Sequence, residues 1–344
     1  MGVQLGLLLG FTATASGLID HSDADLWITP LGTTNVDISG TQATRWRQLA
    51  LATPGVASAD PYLVQFAFWK RPDGRAESAM VVGFNLANER GSPWNIVAGN
   101  MADLQQDDAV MIDELYRDKL GVSALNQTVE INGRRVRIVG FTRGIRTFTQ
   151  SPYVFTTYRN ALNFTRANER RTNYVLLKLD KGVDRETVRA SLQAQMPYVD
   201  VWTREGFSKK TQTYWMVTTG AGSAILMAAA LGLVVGIVIV GQTLYASTMD
   251  RLAEYATLCA MGAPNRYLHA VVIKQALISA VFGYAIGMSV TLFFSHMSQR
   301  SNVLIDMPVW AIALLGALTV VMCLLGALAS IKRINHIDPC SVFK

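Results

Sequence analysis

The chain has 344 residues, of which half are hydrophobic and only 16% are charged, and its formal net charge is +6. A soluble protein of this size could bury such a core, but charge this sparse indicates residence in a membrane. Between Asp20 and Lys210, 24 basic residues nearly balance 21 acidic ones. The positive net charge is therefore a weak argument for nucleic-acid binding, and no basic, aromatic-interleaved patch supports it.

The first predicted element is an apolar segment, Val3–Ile19. As a helix it would be only about 25 Å long at the rise of an α-helix. No basic region precedes it, so a signal peptide is not expected. We expect a transmembrane span whose cytoplasmic beginning lies outside this chain.

Residues 20–203 read as a compact mixed α/β domain, which we call the polar domain. Turns at Pro72-Asp73-Gly74 and Asn132-Gly133, each between alternating apolar residues, predict two β-hairpins. Helical spacing appears at Thr41–Gly55 and Asp184–Pro197, and strands alternate with these helices. The domain contains no cysteine, so it would fold by core burial alone.

No catalytic, cofactor or metal site is predicted in this domain. Asp107-Asp108 and Asp113-Glu114 are adjacent acidic pairs, which we interpret as solvated carboxylates in strand–helix turns. The histidines and cysteines of the chain lack metal-ligand spacing. The chain is therefore not expected to be an enzyme.

Three uncharged stretches of 39, 25 and 25 residues follow the polar domain. A helix needs about 20 apolar residues to cross the hydrocarbon core, so each stretch is long enough. The predicted fold class is an integral membrane α-helical protein with four spans, in which a large mixed α/β extracytoplasmic domain is inserted between the first and second spans. The predicted segments are an incomplete first span at 1–19, the polar domain at 20–203, a stalk at 204–214, spans at 215–246, 267–296 and 308–331, loops at 247–266 and 297–307, and a tail at 332–344.

The basic residues near the span ends predict the orientation. Arg251 and Arg266 lie in the loop between the second and third spans, and Lys332 and Arg333 follow the last span. The loop between the third and fourth spans has only Arg300. The positive-inside rule then places the 247–266 loop and the C-terminus in the cytoplasm and the polar domain in the periplasm.

The 247–266 loop contains a predicted amphipathic helix. An apolar stripe recurs with helical spacing at Leu252, Tyr255, Ala256, Cys259 and Ala260. Gly262 and Pro264 suit a helix end. Such a helix can anchor passively at the membrane surface or can be the contact for a cytoplasmic machine, and composition alone favours the anchor.

The segment "YASTMDRLAEYATLCAMGAPNRYLHAVVIKQALISAVFGYAIG" begins at Tyr245. It resembles the signature of FtsX-like permeases, the membrane subunits of MacB-type ABC transporters, and the resemblance covers essentially the whole chain. Its matching positions include Glu254, Leu258 and Met261-Gly262-Ala263, with Asp338-Pro339 near the end. The chain is most similar to the DevC-type branch, the permeases of heterocyst-envelope exporters. The segments that carry this similarity are "LAEYATL", "VVGIVIVGQTLY", "ADLWITP" and "QFAFWKRPDG".

The resemblance implies that the loop helix is a coupling helix that contacts an ATPase subunit. The residues expected at this contact are Arg251, Leu252, Glu254, Tyr255, Leu258, Met261 and Gly262. The chain has no G-x-x-x-x-G-K-[ST] motif, so ATP and Mg²⁺ would be bound by a separate cytoplasmic ATPase and this chain holds no cofactor.

The resemblance also implies a homodimer of permeases. Small residues that allow close helix approach are Gly232 and Gly236 in the second span and Gly283 and Gly287 in the third. Either pair could form the dimer seam or could pack within one subunit.

Two functions remain open from the sequence. The resemblance favours an exporter in a bacterial, cyanobacterial-like inner membrane, working with a membrane-fusion adaptor and a TolC-like outer-membrane channel on an amphipathic or lipid-like cargo. In the alternative, an FtsX-like subunit transmits motion to regulate a periplasmic enzyme and moves no cargo.

Overall fold

The structure is a computed structural model, and it describes residues 1–149, 151–299 and 304–334. The chain divides into two compact units. The polar unit is Phe11–Gly222, and the membrane unit comprises Met1–Gly10, Ser223–Gln299 and the described part of Val303–Lys344. Each unit is described by itself.

The polar unit is built around strands. The described strands are β1 Leu26–Pro30, β2 Gln42–Ala43, β3 Val56–Lys70, β4 Ala76–Phe84, β5 Ile96–Ala98, β6 Ala109–Asp113, β7 Thr128–Ile131, β8 Arg134–Thr142, β9 Tyr153–Thr157, β10 Arg171–Thr172, β11 Tyr174–Leu179 and β12 Val199–Thr203. The described helices are α1 Gly2–Asp20, α2 Arg45–Leu51, α3 Arg117–Leu120, α4 Tyr158–Thr165, α5 Arg185–Gln195, α6 Arg204–Thr213, α7 Ala221–Asp250, α8 Leu252–Ala260, α9 Asn265–Ser298 and α10 Val309–Ile334.

Ten of the described strands form one mixed sheet in the order β12-β1-β11-β3-β4-β9-β6-β8-β5, with β7 paired to both β3 and β8. Most neighbours are antiparallel, but β4 pairs with β9 and β6 pairs with β8 in parallel. Short β2 and β10 form a separate pair. Strands and helices share one chain segment, which confirms the predicted mixed α/β class.

The alternation of side chains along the strands divides the core into clusters on opposite faces of the sheet. In β1, Leu26 and Ile28 join a cluster with α2 and α5, whereas Trp27 belongs to another cluster that includes Tyr62 and Tyr174. Helix α1 adds Leu18 and Ile19 to this second cluster, and α6 adds Phe207. The aromatic cluster is therefore where the two helices that flank the polar unit are anchored.

Both predicted hairpins are confirmed. Gly74 has φ +85° in the turn between β3 and β4. Between β7 and β8, Asn132 and Gly133 both have positive φ, which a two-residue hairpin turn of this kind requires. The predicted helix at Thr41–Gly55 is shorter than expected, because Gln42 pairs with Thr172 as a strand before α2 begins.

The interpretation of the acidic pairs as solvated is wrong for Asp113. Its carboxylate is buried and accepts hydrogen bonds from the Ile145 N–H at 2.7 Å, the Leu115 N–H at 3.0 Å and the Thr142 hydroxyl at 3.0 Å. The reason is that these donors all lie around the carboxyl end of β6, where the side chain also caps the following turn. Asp108 forms an ion pair with Arg134, with 2.6 Å between Oδ1 and Nε.

The segment predicted as a polar stalk is helix α6, and one face of it is buried. Thr203 caps the helix by accepting from the Gly206 N–H, and Phe207, Ser208 and Thr211 are buried. A π-helical turn follows at Tyr214–Thr218, and Gly220 then has φ +76°. The long helix α7 starts after this break, at Ala221, and not at residue 215.

Four helices in the described part of the chain are long and apolar enough to cross a membrane, and they are α1, α7, α9 and α10. Large apolar side chains of α7 such as Leu231, Val235 and Ile239 are more than half exposed. Apolar surfaces of this kind are compatible with lipid, because the lipid tails are as apolar as the exposed side chains.

Within the membrane unit, glycines of α1 allow close packing. A Cβ added at Gly10 would lie 2.0 Å from the Leu304 carbonyl oxygen, and one at Gly6 would lie 2.6 Å from the Ile305 side chain. The N–H of Asp306 donates to the carbonyl oxygen of Gly6 at 3.0 Å. The first helix is thus held to the segment that precedes α10 by backbone contact.

Candidate coupling site

The predicted coupling segment is a separate short helix between two long ones. Helix α7 ends at Asp250, and α8 follows at Leu252–Ala260. The N–H of Ala263 donates to the Leu258 carbonyl at 3.0 Å, and Gly262 has φ +91°. This is the left-handed ending in which glycine has no steric cost, and Pro264 then leads into α9.

One face of α8 is anchored in the membrane unit. Tyr255 is only 5% exposed and belongs to a cluster with Leu244 of α7 and Leu268 of α9, and Leu258 packs against the same cluster. Cys323 and Ala327 of α10 complete it. A displacement of α8 would therefore act on three long helices at once.

Other side chains in α8 and next to it are open to solvent. Arg251, Glu254 and Met261 are exposed, Met261 to 72%. Among the described residues, nothing lies within 4 Å of a Cβ added at Gly262, whereas Leu252 is half-buried. The seven residues expected at the ATPase contact thus fall into an exposed group that a partner can reach and an anchored group, Tyr255 and Leu258, that holds the helix.

The exposed face continues along the end of α7. An open groove of about 700 Å³ is lined by Gln242, Thr243, Ala246, Ser247, Asp250 and Arg251. The Ser247 hydroxyl accepts a hydrogen bond from the amide of Gln275 on α9 at 2.8 Å. Arg251 lines this groove and lies immediately before α8, so the groove ends next to the predicted coupling helix.

The two glycine pairs have different surroundings. A Cβ added at Gly236 would lie 2.5 Å from the terminal methyl group of Met322 on α10, so this glycine is used inside the chain. A Cβ at Gly232 would meet Met1 and Gln4 at ordinary contact distances. A Cβ at Gly283 or Gly287 would meet no atom of the described residues within 4 Å, and both glycines line a cavity of about 410 Å³ between α1, α9 and α10. The assignment of any of them to a dimer seam stays a prediction.

Sequence reasoning missed the break between α6 and α7. The signal was present in the run Thr218-Thr219-Gly220-Ala221-Gly222, where two glycines interrupt the approach to an apolar helix. The Thr219 hydroxyl instead bonds back to the Trp215 carbonyl at 2.6 Å. The chain therefore enters α7 through a non-α-helical turn.

Two protein families match this sequence. Residues 3–195 match the MacB-like periplasmic core domain, and residues 209–339 match the C-terminal part of FtsX-like permeases. The first match alone covers more than half of the chain, and the coupling segment lies inside the second.

Curated relatives match almost the whole chain. An uncharacterized ABC transporter permease of Mycobacterium bovis is 24% identical over 343 residues, which are 99% of this chain and 90% of the relative. A Mycobacterium tuberculosis permease is 23% identical over 347 residues, with the same coverage of both chains. These relatives are mycobacterial, and the assignment to a cyanobacterial-like membrane stays a prediction.

Solved structures resemble part of this chain. The periplasmic region of MacB from Actinobacillus actinomycetemcomitans is 14% identical and covers 55% of this chain and 92% of its own, with a TM-score of 0.42. The extracellular domain of the transporter YknZ from Gram-positive bacteria is 11% identical and covers 52% and 99%, with a TM-score of 0.39.

The two family matches follow one another along the chain in the order that the polar unit and the long apolar helices follow one another in the structure. Membership in this family implies a cytoplasmic ATPase partner. The chain belongs to the MacB- and FtsX-type ABC transporter permeases.

Proposed function

We propose that this permease transmits ATP-driven motion from a cytoplasmic ATPase to its polar unit in the periplasm, and that the motion drives export of an amphipathic or lipid-like cargo. The observation that carries the proposal is that α8 and its flanking residues combine exposed side chains with anchored ones. Arg251, Glu254 and Met261 are exposed in α8 and next to it, while Tyr255 and Leu258 join α8 to α7, α9 and α10.

The physical basis of the transmission is the rigidity of long helices with intact backbone hydrogen bonds. A push on α8 reaches α7 and α9 through the cluster of Tyr255, Leu244 and Leu268, and the Ser247–Gln275 hydrogen bond joins α7 to α9. Helix α7 is 30 residues long, about 45 Å at the rise of an α-helix. Its far end leads along the chain into the break at Gly220 and the π-helical turn.

The proposed export function includes partners beyond the ATPase. Two permease copies act with two ATPase subunits, and a membrane-fusion adaptor with a TolC-like outer-membrane channel receives the cargo, as in the DevC-type branch. ATP and Mg²⁺ bind to the ATPase. The spans support a mechanical role, because few charges lie in them and an ion or proton pathway would require more.

The coupling step is tested by Glu254→Lys in the permease reconstituted with its ATPase subunit in lipid nanodiscs. We expect the permease-stimulated ATPase rate to fall about tenfold, because the charge reversal disturbs the contact with the ATPase, and this fall corresponds to about 1.4 kcal/mol of activation free energy. The charge reversal leaves the fold intact because Glu254 is exposed.

Asp306→Lys is the matched control, because it makes the same charge change at an exposed residue outside α8. The control should keep the wild-type rate. An unchanged rate in Glu254→Lys, with the complex still assembled, would contradict the coupling role of α8.

Export is tested separately by identifying the proteins and lipids that co-purify with the assembled complex, using mass spectrometry. An adaptor together with enriched lipid supports export. A peptidoglycan hydrolase in place of the adaptor would instead support the regulatory function of FtsX-like subunits.

A further inference from the structure

Four arginines from two distant segments of the chain lie close together on the polar unit. Arg45 and Arg47 belong to α2, Arg171 belongs to β10, and Arg170 directly precedes β10. Arg45, Arg170 and Arg171 are exposed, and Arg47 is half-buried. We call these four residues the arginine patch.

The pairing of two short strands brings the two halves of the arginine patch together. Ala43 of β2 lies opposite Arg171 of β10. Thr44, which precedes α2, donates to the Arg170 carbonyl from its N–H at 3.0 Å and from its hydroxyl at 3.1 Å, across 126 positions of the sequence. Arg45 follows Thr44 directly. The arginine patch therefore exists only in the folded polar unit and could not be read from either segment alone.

Two guanidinium groups of the arginine patch are partly held by hydrogen bonds to the protein. The Nε of Arg47 donates to the Ala59 carbonyl at 2.8 Å, and its two terminal nitrogens have no acceptor among the described residues. The Nε of Arg171 donates to the Thr41 hydroxyl at 2.6 Å, and its Nη2 donates to the Thr41 carbonyl. A guanidinium ordered in this way loses less conformational entropy when its remaining N–H groups bind an anion.

The arginine patch differs from other charged positions of the polar unit in its lack of acidic partners. Arg90 forms an ion pair with Asp60, and Arg134 forms one with Asp108. Within the part of the chain that the structure describes, none of the four patch arginines forms an ion pair, and neither does Glu169 beside them. Like charges held close together repel one another, and a carboxylate bound among them would relieve this repulsion.

Aromatic side chains lie among the arginines. The guanidinium carbon of Arg45 is 4.7 Å from the ring centroid of Trp46, which is half-buried. The hydroxyl of Tyr158, another half-buried residue, lies 3.5 Å from the Arg171 carbonyl oxygen. Arginine, tryptophan and tyrosine are the residue types enriched at the energetic centres of protein–protein interfaces. The composition of this surface therefore favours a protein partner.

We propose that the arginine patch is a docking surface for an acidic peptide segment of a partner protein. The Asp and Glu carboxylates of that segment accept hydrogen bonds from the open guanidinium N–H groups, whose planar fork matches the two oxygens of a carboxylate. Trp46 and Tyr158 contact the apolar parts of the same segment. The proposal rests on the polar unit alone and does not depend on the function proposed above.

The docking surface is tested with the full chain in nanodiscs of zwitterionic lipid, and the probe is a fluorescein-labelled oligoglutamate peptide. Fluorescence anisotropy measures its Kd. We expect saturable binding that weakens about tenfold between about 50 mM and about 300 mM NaCl, because salt screens charges on an exposed surface. Absence of binding at the lower salt concentration would overturn the proposal.

The double variant Arg45→Gln with Arg170→Gln removes two cations of the arginine patch. Neither side chain donates a hydrogen bond to a described residue, so the substitutions should leave the fold intact. We expect the Kd of the peptide to rise about tenfold, because two of the four groups that attract its carboxylates are lost. An unchanged Kd in the folded double variant would contradict the proposal.

Arg135→Gln with Lys181→Gln is the matched control, because it makes the same charge change at exposed residues outside the arginine patch. Its Kd should stay within about twofold of the wild type, because surface charges distant from the peptide are largely screened. Equal weakening by the two double variants would show that the peptide follows net charge alone, and it would overturn the proposal.

Hydrogen exchange of the unmodified chain gives a readout that needs no substitution. The peptide should slow exchange at residues 45–48 and 168–171 and leave residues 134–137 unchanged. Protection that is absent from both of the first two segments would contradict the docking surface. Liposomes that contain phosphatidylglycerol serve as a second probe. Protection of these segments by the liposomes and not by the peptide would assign the arginine patch to lipid headgroups and would also overturn the proposal.

Discussion

The polar unit and the membrane unit use the same kinds of side chain in opposite ways. In the polar unit, Trp27, Trp69 and Tyr62 are completely buried in a sheet core. In the membrane unit, Leu231 and Phe282 of the long helices are more than 60% exposed. The polar unit thus holds its own core, whereas the stability of the membrane unit depends on what surrounds its helices.

Polar groups show the same contrast. The Trp69 indole donates to the Leu120 carbonyl at 3.0 Å, a partner far away in sequence. In the spans, Thr243 and Thr319 donate to carbonyl oxygens four residues earlier in their own helices. Side chains that bond within their own helix leave nothing unsatisfied in lipid and require no particular neighbour.

The largest expected effect lies in the polar unit. Trp27→Ala should lower the free energy of unfolding of this unit by about 3 to 5 kcal/mol, because it empties the centre of the aromatic cluster. Leu231→Ala, at a lipid-exposed position, should change stability by less than about 0.5 kcal/mol. Denaturant unfolding of the full chain in nanodiscs, followed by near-ultraviolet circular dichroism, measures both. Equal effects of the two variants would remove the contrast between the units.

A smaller effect is expected at the coupling helix. Tyr255→Ala should destabilise the membrane unit by about 2 kcal/mol, because Tyr255 is the anchored side of α8. Met261→Ala, on the open side of α8, should leave the melting temperature of the purified chain unchanged. Thermal unfolding in detergent compares them. A larger loss of thermal stability in Met261→Ala than in Tyr255→Ala would contradict the assignment of Tyr255 as anchored and Met261 as open.

Structural features that depend only on residues close together in the chain could be predicted from the sequence. The turn at Asn132-Gly133 needs two residues with positive φ, and asparagine and glycine tolerate it at the least cost. The long uncharged stretches could hardly fold as anything but apolar helices. The stop of α8 at Gly262 follows from the same steric rule.

What could not be predicted depends on contacts between distant segments. Asp113 reads as a surface acid, yet Thr142 and Ile145 return to it from 29 and 32 residues further along the chain. Tyr255 lies on a stripe that fits the surface of a membrane, but α9 and α10 bury it. Asp37 and Tyr153 are far apart in the sequence, and only the folded sheet brings the Tyr153 hydroxyl to the Asp37 carboxylate in the loop after β1.

The most direct test of the coupling claim is site-specific photo-cross-linking in the assembled complex, with a photoreactive residue at Met261 and, for comparison, at Phe68 of the polar unit. Both side chains are 72% exposed, so their reactivity depends on what lies next to them. We predict an adduct with the ATPase subunit from Met261 and none from Phe68. An ATPase adduct from Phe68, or its absence from Met261 in an intact complex, would contradict the account.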